Sequence, residues 1–85
     1  MSTNSRTASL DAPALSPRER QIMIEWILSD RKSDVCGKLH IAPGTMNSHL
    51  SRIREKYDRV GRPAPTKAAL LARALQDGYL DLHQL

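Results

Sequence analysis

Apolar residues recur at helical spacing in four stretches of this chain, and the breaks between them fall at residues that start or stop helices. The first stretch opens on Ser16-Pro17-Arg18-Glu19. Ser16 can cap, Pro17 suits the first helical position, and Glu19 stands at the acceptor position of a capping box. A helix is predicted from Pro17 to about Leu28, with Ile22, Met23, Trp26 and Ile27 on its buried stripe and the Trp26 ring nitrogen near the surface. A short second helix, about Arg31 to Leu39, carries Val35, Cys36 and Leu39 inward. The third spans about 43–57, where Met46, Leu50, Ile53 and Tyr57 fall on one narrow seam. Gly61, Pro63 and Pro65 require a loop, after which Thr66 or Ala64 can cap a last helix that ends near Asp77, before Gly78. On that helix Ala68, Leu71, Ala72 and Leu75 are expected to face the bundle, while Leu70 and Ala74 form a second apolar strip beside them. Residues 1–14 show no sustained period and are expected to be a flexible arm or linker. Residues 15–80 are the expected folded domain and 81–85 a tail without an assigned element. The fold class is all-α, a four-helix bundle.

The side of the third helix away from its seam is small and polar. It carries Ser48, Ser51, Arg52 and Glu55, flanked by Asn47 and Arg54 on one edge and by Thr45, His49 and Lys56 on the other. Small side chains let a helix backbone come close to base edges in a major groove, and flanking cations and hydroxyls can hold the phosphates of its walls. An ordinary amphipathic surface helix would also show a polar side, although Glu and Lys pairs are more typical there than Ser and Asn. Only Leu39-His40-Ile41-Ala42 connects the second helix to the third, as in a helix-turn-helix.

The location of charge adds to this picture more than its amount. The 85-residue chain has a net charge of +4. Between Arg31 and Arg62, eight basic residues face three acidic ones, so this block alone is +5. A basic surface centred on one helix is the electrostatic footprint of a nucleic-acid binder, although basic blocks also occur as merely solvated faces. The single cysteine, Cys36, excludes an intrachain disulfide and a cysteine-rich zinc site, and it is expected to pack as a small apolar residue in a reducing compartment. No apolar run approaches a membrane span and no signal-peptide core is present, so a soluble, cytoplasmic protein is expected. His40, His49 and His83 lack metal-ligand spacing and no glycine-rich phosphate loop occurs. Neither an enzyme nor a bound cofactor or metal is expected.

With these motifs placed, the stretch from Leu15 to Tyr57 resembles the LuxR-type helix-turn-helix domain, also called GerE- or NarL-type, the output domain of many bacterial response regulators and quorum-sensing activators. The resemblance rests on three signatures. They are Leu15-Ser16-Pro17-Arg18-Glu19; then Asp34, Val35, Cys36, Leu39 and Ile41; then Thr45, Met46, His49, Ile53 and Lys56. It implies that Asn47, Ser48 and Ser51 face base edges while Thr45, His49, Arg52 and Lys56 lie near phosphates. The helical projection divides the residues in much the same way. His49 also borders the apolar seam and can equally serve as a packed spacer. This chain departs from the family pattern at several positions. Ser29 replaces a usual Gly, Arg31 and Lys32 replace Ser-Asn and bring two further cations toward the DNA backbone, Ala42 replaces a Ser cap, and Asn47 replaces a frequent Lys. The loop from Asp58 to Pro65 is longer than the norm, and its Val60-to-Lys67 sequence is similar to loops of actinobacterial members.

The expected function is sequence-specific binding of double-stranded DNA as a bacterial transcription regulator, with a homodimer formed through Leu70 and Ala74 and RNA polymerase as a further partner. Two rivals remain. A sigma-factor region-4-like promoter-binding domain has the same helical outline, but His49 and Ile53 stand where that family tends to have Arg and Ala. A protein-interaction module docking through Leu70 and Ala74 would leave the basic block without a purpose.

Overall fold

A computed structural model describes residues 11–85, in which four α-helices and one terminal 3-10 turn follow each other with no strand among the described residues. The helices are α1 (Pro17–Leu28), α2 (Lys32–Leu39), α3 (Pro43–Arg59) and α4 (Lys67–Gln76), followed by the 3-10 turn Leu82–Gln84. The start of α1 is fixed as its sequence requires. Ser16 Oγ accepts from the Glu19 amide at 3.1 Å, and Glu19 Oε1 accepts from the Ser16 amide at 2.8 Å. Thr66 is the cap of α4, its side chain accepting from the Ala69 amide at 3.1 Å, whereas Ala64 is buried upstream of it. Gly78, at φ +75°, takes the left-handed position that follows α4.

The turn between α2 and α3 is tight because His40 adopts φ 56°, ψ 48°, the conformation more often left to glycine at a helix C-terminus. That geometry aims the Ile41 amide back at the Cys36 carbonyl, 3.1 Å away, and lets α3 begin only three residues after α2 ends. Ala42 gives α3 no side-chain cap, and Pro43 at its first turn removes one of the amides that would have needed one.

Helix α1 is the hub, packing against each of the other three. Ile22, Met23 and Ile27 of α1 meet Val35 of α2, the whole seam Met46, Leu50, Ile53 and Tyr57 of α3, and Leu70 and Ala74 of α4. This overturns the expected division of α4. Leu70 and Ala74 are 0 % exposed and belong to the core, so they cannot form a surface contact with a second copy. It is Ala68 and Ala72 that are exposed, with Leu71 and Leu75 half-buried. Both strips have helical spacing, and the sequence pattern alone could not decide which of them turns inward.

Two further expectations are corrected. The Trp26 ring is half-buried, but its Nε1 is buried without a hydrogen-bond partner among the described residues, not held near the surface. Its face is covered by Lys67 Nζ, 4.1 Å from the ring centroid, and that ammonium also donates to the Ser29 carbonyl. The segment 11–14, assigned with residues 1–10 to a flexible arm, packs onto the domain. Pro13 is buried, Arg62 donates to the Asp11 carbonyl at 2.7 Å, and Lys56 donates to the Ala14 carbonyl at 2.8 Å. Residues 1–10 lie outside the described part. The expected loop between α3 and α4 packs onto the domain, with Arg62 and Ala64 both buried.

Candidate nucleic-acid interface

Helix α3 separates its two chemistries cleanly. Met46, Leu50, Ile53 and Tyr57 are buried, whereas Gly44, Thr45, Asn47, Ser48, Ser51, Arg52 and Glu55 are exposed. The exposed set forms a ridge of short side chains that a groove wall could approach closely. Thr45 and Arg52 stand toward one edge of the ridge and Asn47 toward the other, the edge next to α2. There Lys32 Nζ donates to Asn47 Oδ1 at 3.0 Å. Arg31, just before α2, is exposed and makes only a 3.5 Å contact with Asp34. His49 is half-buried, and its Nδ1 is enclosed without a hydrogen-bond partner among the described residues. The ring is therefore partly inside the protein.

The cations of the basic block fall into two groups. Lys38 pairs with Glu25 and Arg59 with Glu55, each at 3.0 Å on the surface. Exposed pairs of this kind contribute about 0–1 kcal/mol and give way readily to a phosphate. Lys56 and Arg62 are different, because each is bonded to a carboxylate inside the fold. Lys56 Nζ lies 2.7 Å from Oε1 of Glu19, a residue only 2 % exposed. Lys56, expected from the sequence to lie near phosphate, is thus tied into the fold, and withdrawing it would strand a buried carboxylate. Arg52 reaches the other Glu19 oxygen only at 4.0 Å and is itself largely exposed, so its guanidinium remains presented outward.

Glu19 thus does more than close a capping box. It ties the start of α1 to the last turns of α3 and so sets how the exposed ridge is carried. Burial alone would raise its pKa, but the hydrogen bonds and positive charge of Lys56, with the bonds from Ser16, outweigh that effect and hold the carboxyl below its usual 4.5. A folded-state pKa below the unfolded value stabilises the domain above the usual carboxylate range, and that stability is lost as pH falls through the folded value. Acid unfolding should therefore steepen below about pH 4.5. Glu19→Gln should flatten that part of the profile and cost about 1–3 kcal/mol at neutral pH, measured by denaturant titration across pH. An unchanged acid limb would show that the pair adds nothing to folding.

The far end of α3 holds a second network. Tyr57 Oη donates to Asp77 Oδ2 at 2.6 Å, and Arg62 Nη2 donates to Asp77 Oδ1 at 2.7 Å. The same Nη2 lies 3.0 Å from Gln76 Oε1, and the guanidinium stands 5.4 Å from the Tyr57 ring centroid. Arg62, counted by sequence among the basic residues facing DNA, is only 7 % exposed and is spent on this network. Burial first, and then the bond to Asp77 and its charge, push the Tyr57 hydroxyl well above its ordinary pKa, so it remains a donor. Sequence reasoning missed both networks. One available signal was a tyrosine closing an apolar seam, whose hydroxyl must find a partner when buried. Another was a glutamate in a first turn, seen only as a cap.

No helix of the described residues is long and apolar enough to cross a membrane. Among protein-family models, the one described as bacterial regulatory proteins, luxR family, matches residues 13–62, which is more than half of the chain and spans α1, α2 and α3. Two curated relatives, each a probable transcriptional regulatory protein NarL, come from Mycobacterium tuberculosis strains CDC 1551 / Oshkosh and ATCC 25618 / H37Rv. Each is 30% identical over 70 residues, covering 82% of this chain and 30% of the relative's own length. No solved structure matches. The chain, helical throughout its described residues with a short turn between α2 and a third helix of exposed polar ridge, belongs to the luxR family of bacterial regulatory proteins.

Proposed function

We propose that α3 enters the major groove of double-stranded DNA with Asn47, Ser48 and Ser51 toward base edges, and that Arg31, Thr45 and Arg52 engage the flanking phosphates. The observation that carries this reading is the exposed ridge of short polar residues on a helix whose opposite seam is fully buried. A helix so anchored presents its ridge rigidly, and Asn47, Ser48 and Ser51 are short enough to let the backbone come close to a groove. His49, half-buried, supports the ridge from beneath more than it reaches for phosphate.

The active form on DNA is a dimer. Its support is the outward strip of α4, Ala68, Leu71, Ala72 and Leu75, which replaces the Leu70 and Ala74 contact excluded above. One helix of 10 residues buries far less than a stable interface of roughly 1,200 Å² or more, so pairing forms chiefly on DNA, where two bound copies meet at high effective concentration. Selection from a random duplex pool should return two half-sites of fixed spacing. Ala72→Glu, at an exposed position, should leave helical content unchanged, remove cooperativity on the two-site duplex and spare a single half-site. Recovery of no enriched motif would overturn the binding reading. Unchanged cooperativity would overturn the α4 contact alone.

A further inference from the structure

Lys32, expected from the sequence to face the DNA backbone, and Asn47, expected to face base edges, are bonded to each other. Lys32 opens α2 and Asn47 lies in the second turn of α3, both are exposed, and Lys32 Nζ donates to Asn47 Oδ1 at 3.0 Å. The same ammonium stands over the face of Trp26, 5.8 Å from the ring centroid. An ammonium has donors only, so chemistry requires the amide oxygen, and not the amide nitrogen, to face it. Resting on the DNA-binding reading above, we propose that Lys32 and Asn47 act as one donor unit that selects guanine over adenine at the base pair Asn47 meets.

An asparagine by itself favours adenine, accepting from N6 through its amide oxygen while donating to N7 through its amide nitrogen. Here one of the two lone pairs of the acceptor oxygen is taken by an ammonium. An adenine N6 donor approaching Oδ1 would meet the positive field of Lys32 at hydrogen-bond range. What the pair offers outward is chiefly donors, the Asn47 amide N–H and the remaining Lys32 N–H groups, while the second lone pair of Oδ1 lies beside the positive charge. Guanine presents two acceptors, N7 and O6, side by side in the major groove, and adenine presents only one. The Trp26 face attracts the Lys32 ammonium and the Asn47 carbonyl orients it, so the donor set is assembled before DNA arrives and less ordering is needed on binding. A two-bond contact of this kind should discriminate between the bases by about 5- to 150-fold.

The test uses duplexes built on the selected site, varied at the base pair where Asn47→Ala relaxes preference, with the parent chain, Lys32→Met, Asn47→Ala and the double variant. Methionine keeps an apolar stem against Trp26 and removes the ammonium. The parent should prefer guanine by about 5- to 150-fold, and Lys32→Met should move the preference to adenine. With Ala at position 47, the presence or absence of Lys32 should no longer alter the base preferred. Guanine replaced by 7-deazaguanine should weaken the parent and not Asn47→Ala. An adenine preference in the parent would overturn the proposal. So would a Lys32→Met protein that binds every sequence more weakly with its preference unchanged, which makes Lys32 a phosphate contact. An Asn47→Ala protein that keeps every base preference overturns it too. Failure of the parent to bind any duplex is a separate result, which overturns the DNA-binding reading on which the proposal stands.

Discussion

Asp77→Ala is expected to cost about 3–5 kcal/mol, enough to leave much of this small domain unfolded at physiological temperature. One carboxylate serves two buried groups, the Tyr57 hydroxyl at 2.6 Å and the Arg62 guanidinium at 2.7 Å. Its removal leaves a buried cation with only the Gln76 side chain and the Asp11 carbonyl, and a buried hydroxyl with nothing. The penalty comes from that stranded polarity, since hydrogen bonds to charged groups contribute more than neutral ones and a buried group left without its partner costs its full desolvation. Asp77→Asn should be milder, because its amide oxygen can still accept from Arg62 and its amide nitrogen can donate to Tyr57. Thermal melts of both variants check the order. Equal, small losses would mean that the network is peripheral to folding.

The second large effect concerns binding and not folding. Ser51→Glu should weaken DNA binding by about 30- to 150-fold, an equivalent of about 2–3 kcal/mol, because it sets a carboxylate against the phosphates and lengthens the side chain that must clear the groove. Helical content and melting temperature should barely move, since Ser51 is exposed and lies opposite Met46, Leu50 and Ile53. Normal binding by the folded variant would mean that α3 does not present this ridge to DNA.

What could be read from the sequence was whatever depends on local chemistry. The capping box at Ser16 and Glu19, the Thr66 cap and the terminating Gly78 are each specified by residues within a few positions of one another, and each stands in the fold. The seam of α3 was legible for a related reason, since its outer side is polar enough to leave only one face to bury. Helix α4 lacks that contrast. With apolar residues on two strips, its orientation is decided by α1 and by the Arg62 and Asp77 network at its ends, neither of which spacing encodes, and so Leu70 and Ala74 were placed on the wrong side. The candidate site was legible as a list of exposed polar residues. The use of each cation was not, because charge along a chain does not say which cation meets a buried carboxylate. Lys56 is 37 residues from Glu19, and only the packing of α1 on α3 brings them to 2.7 Å. Lys32 and Asn47, 15 residues apart, are joined by the His40 turn in the same way.

In the binding mode proposed above, exposed cations around α3 hold DNA phosphates while its ridge lies in the groove. Measuring affinity for a selected duplex at several salt concentrations, with the parent chain and Arg52→Ala, tests this most directly. The parent should show a log-log slope on the order of −2 to −4 per bound copy, and Arg52→Ala, which should weaken all sequences alike, a slope shallower by about one. A salt-independent affinity, or an Arg52→Ala slope equal to that of the parent, would contradict it.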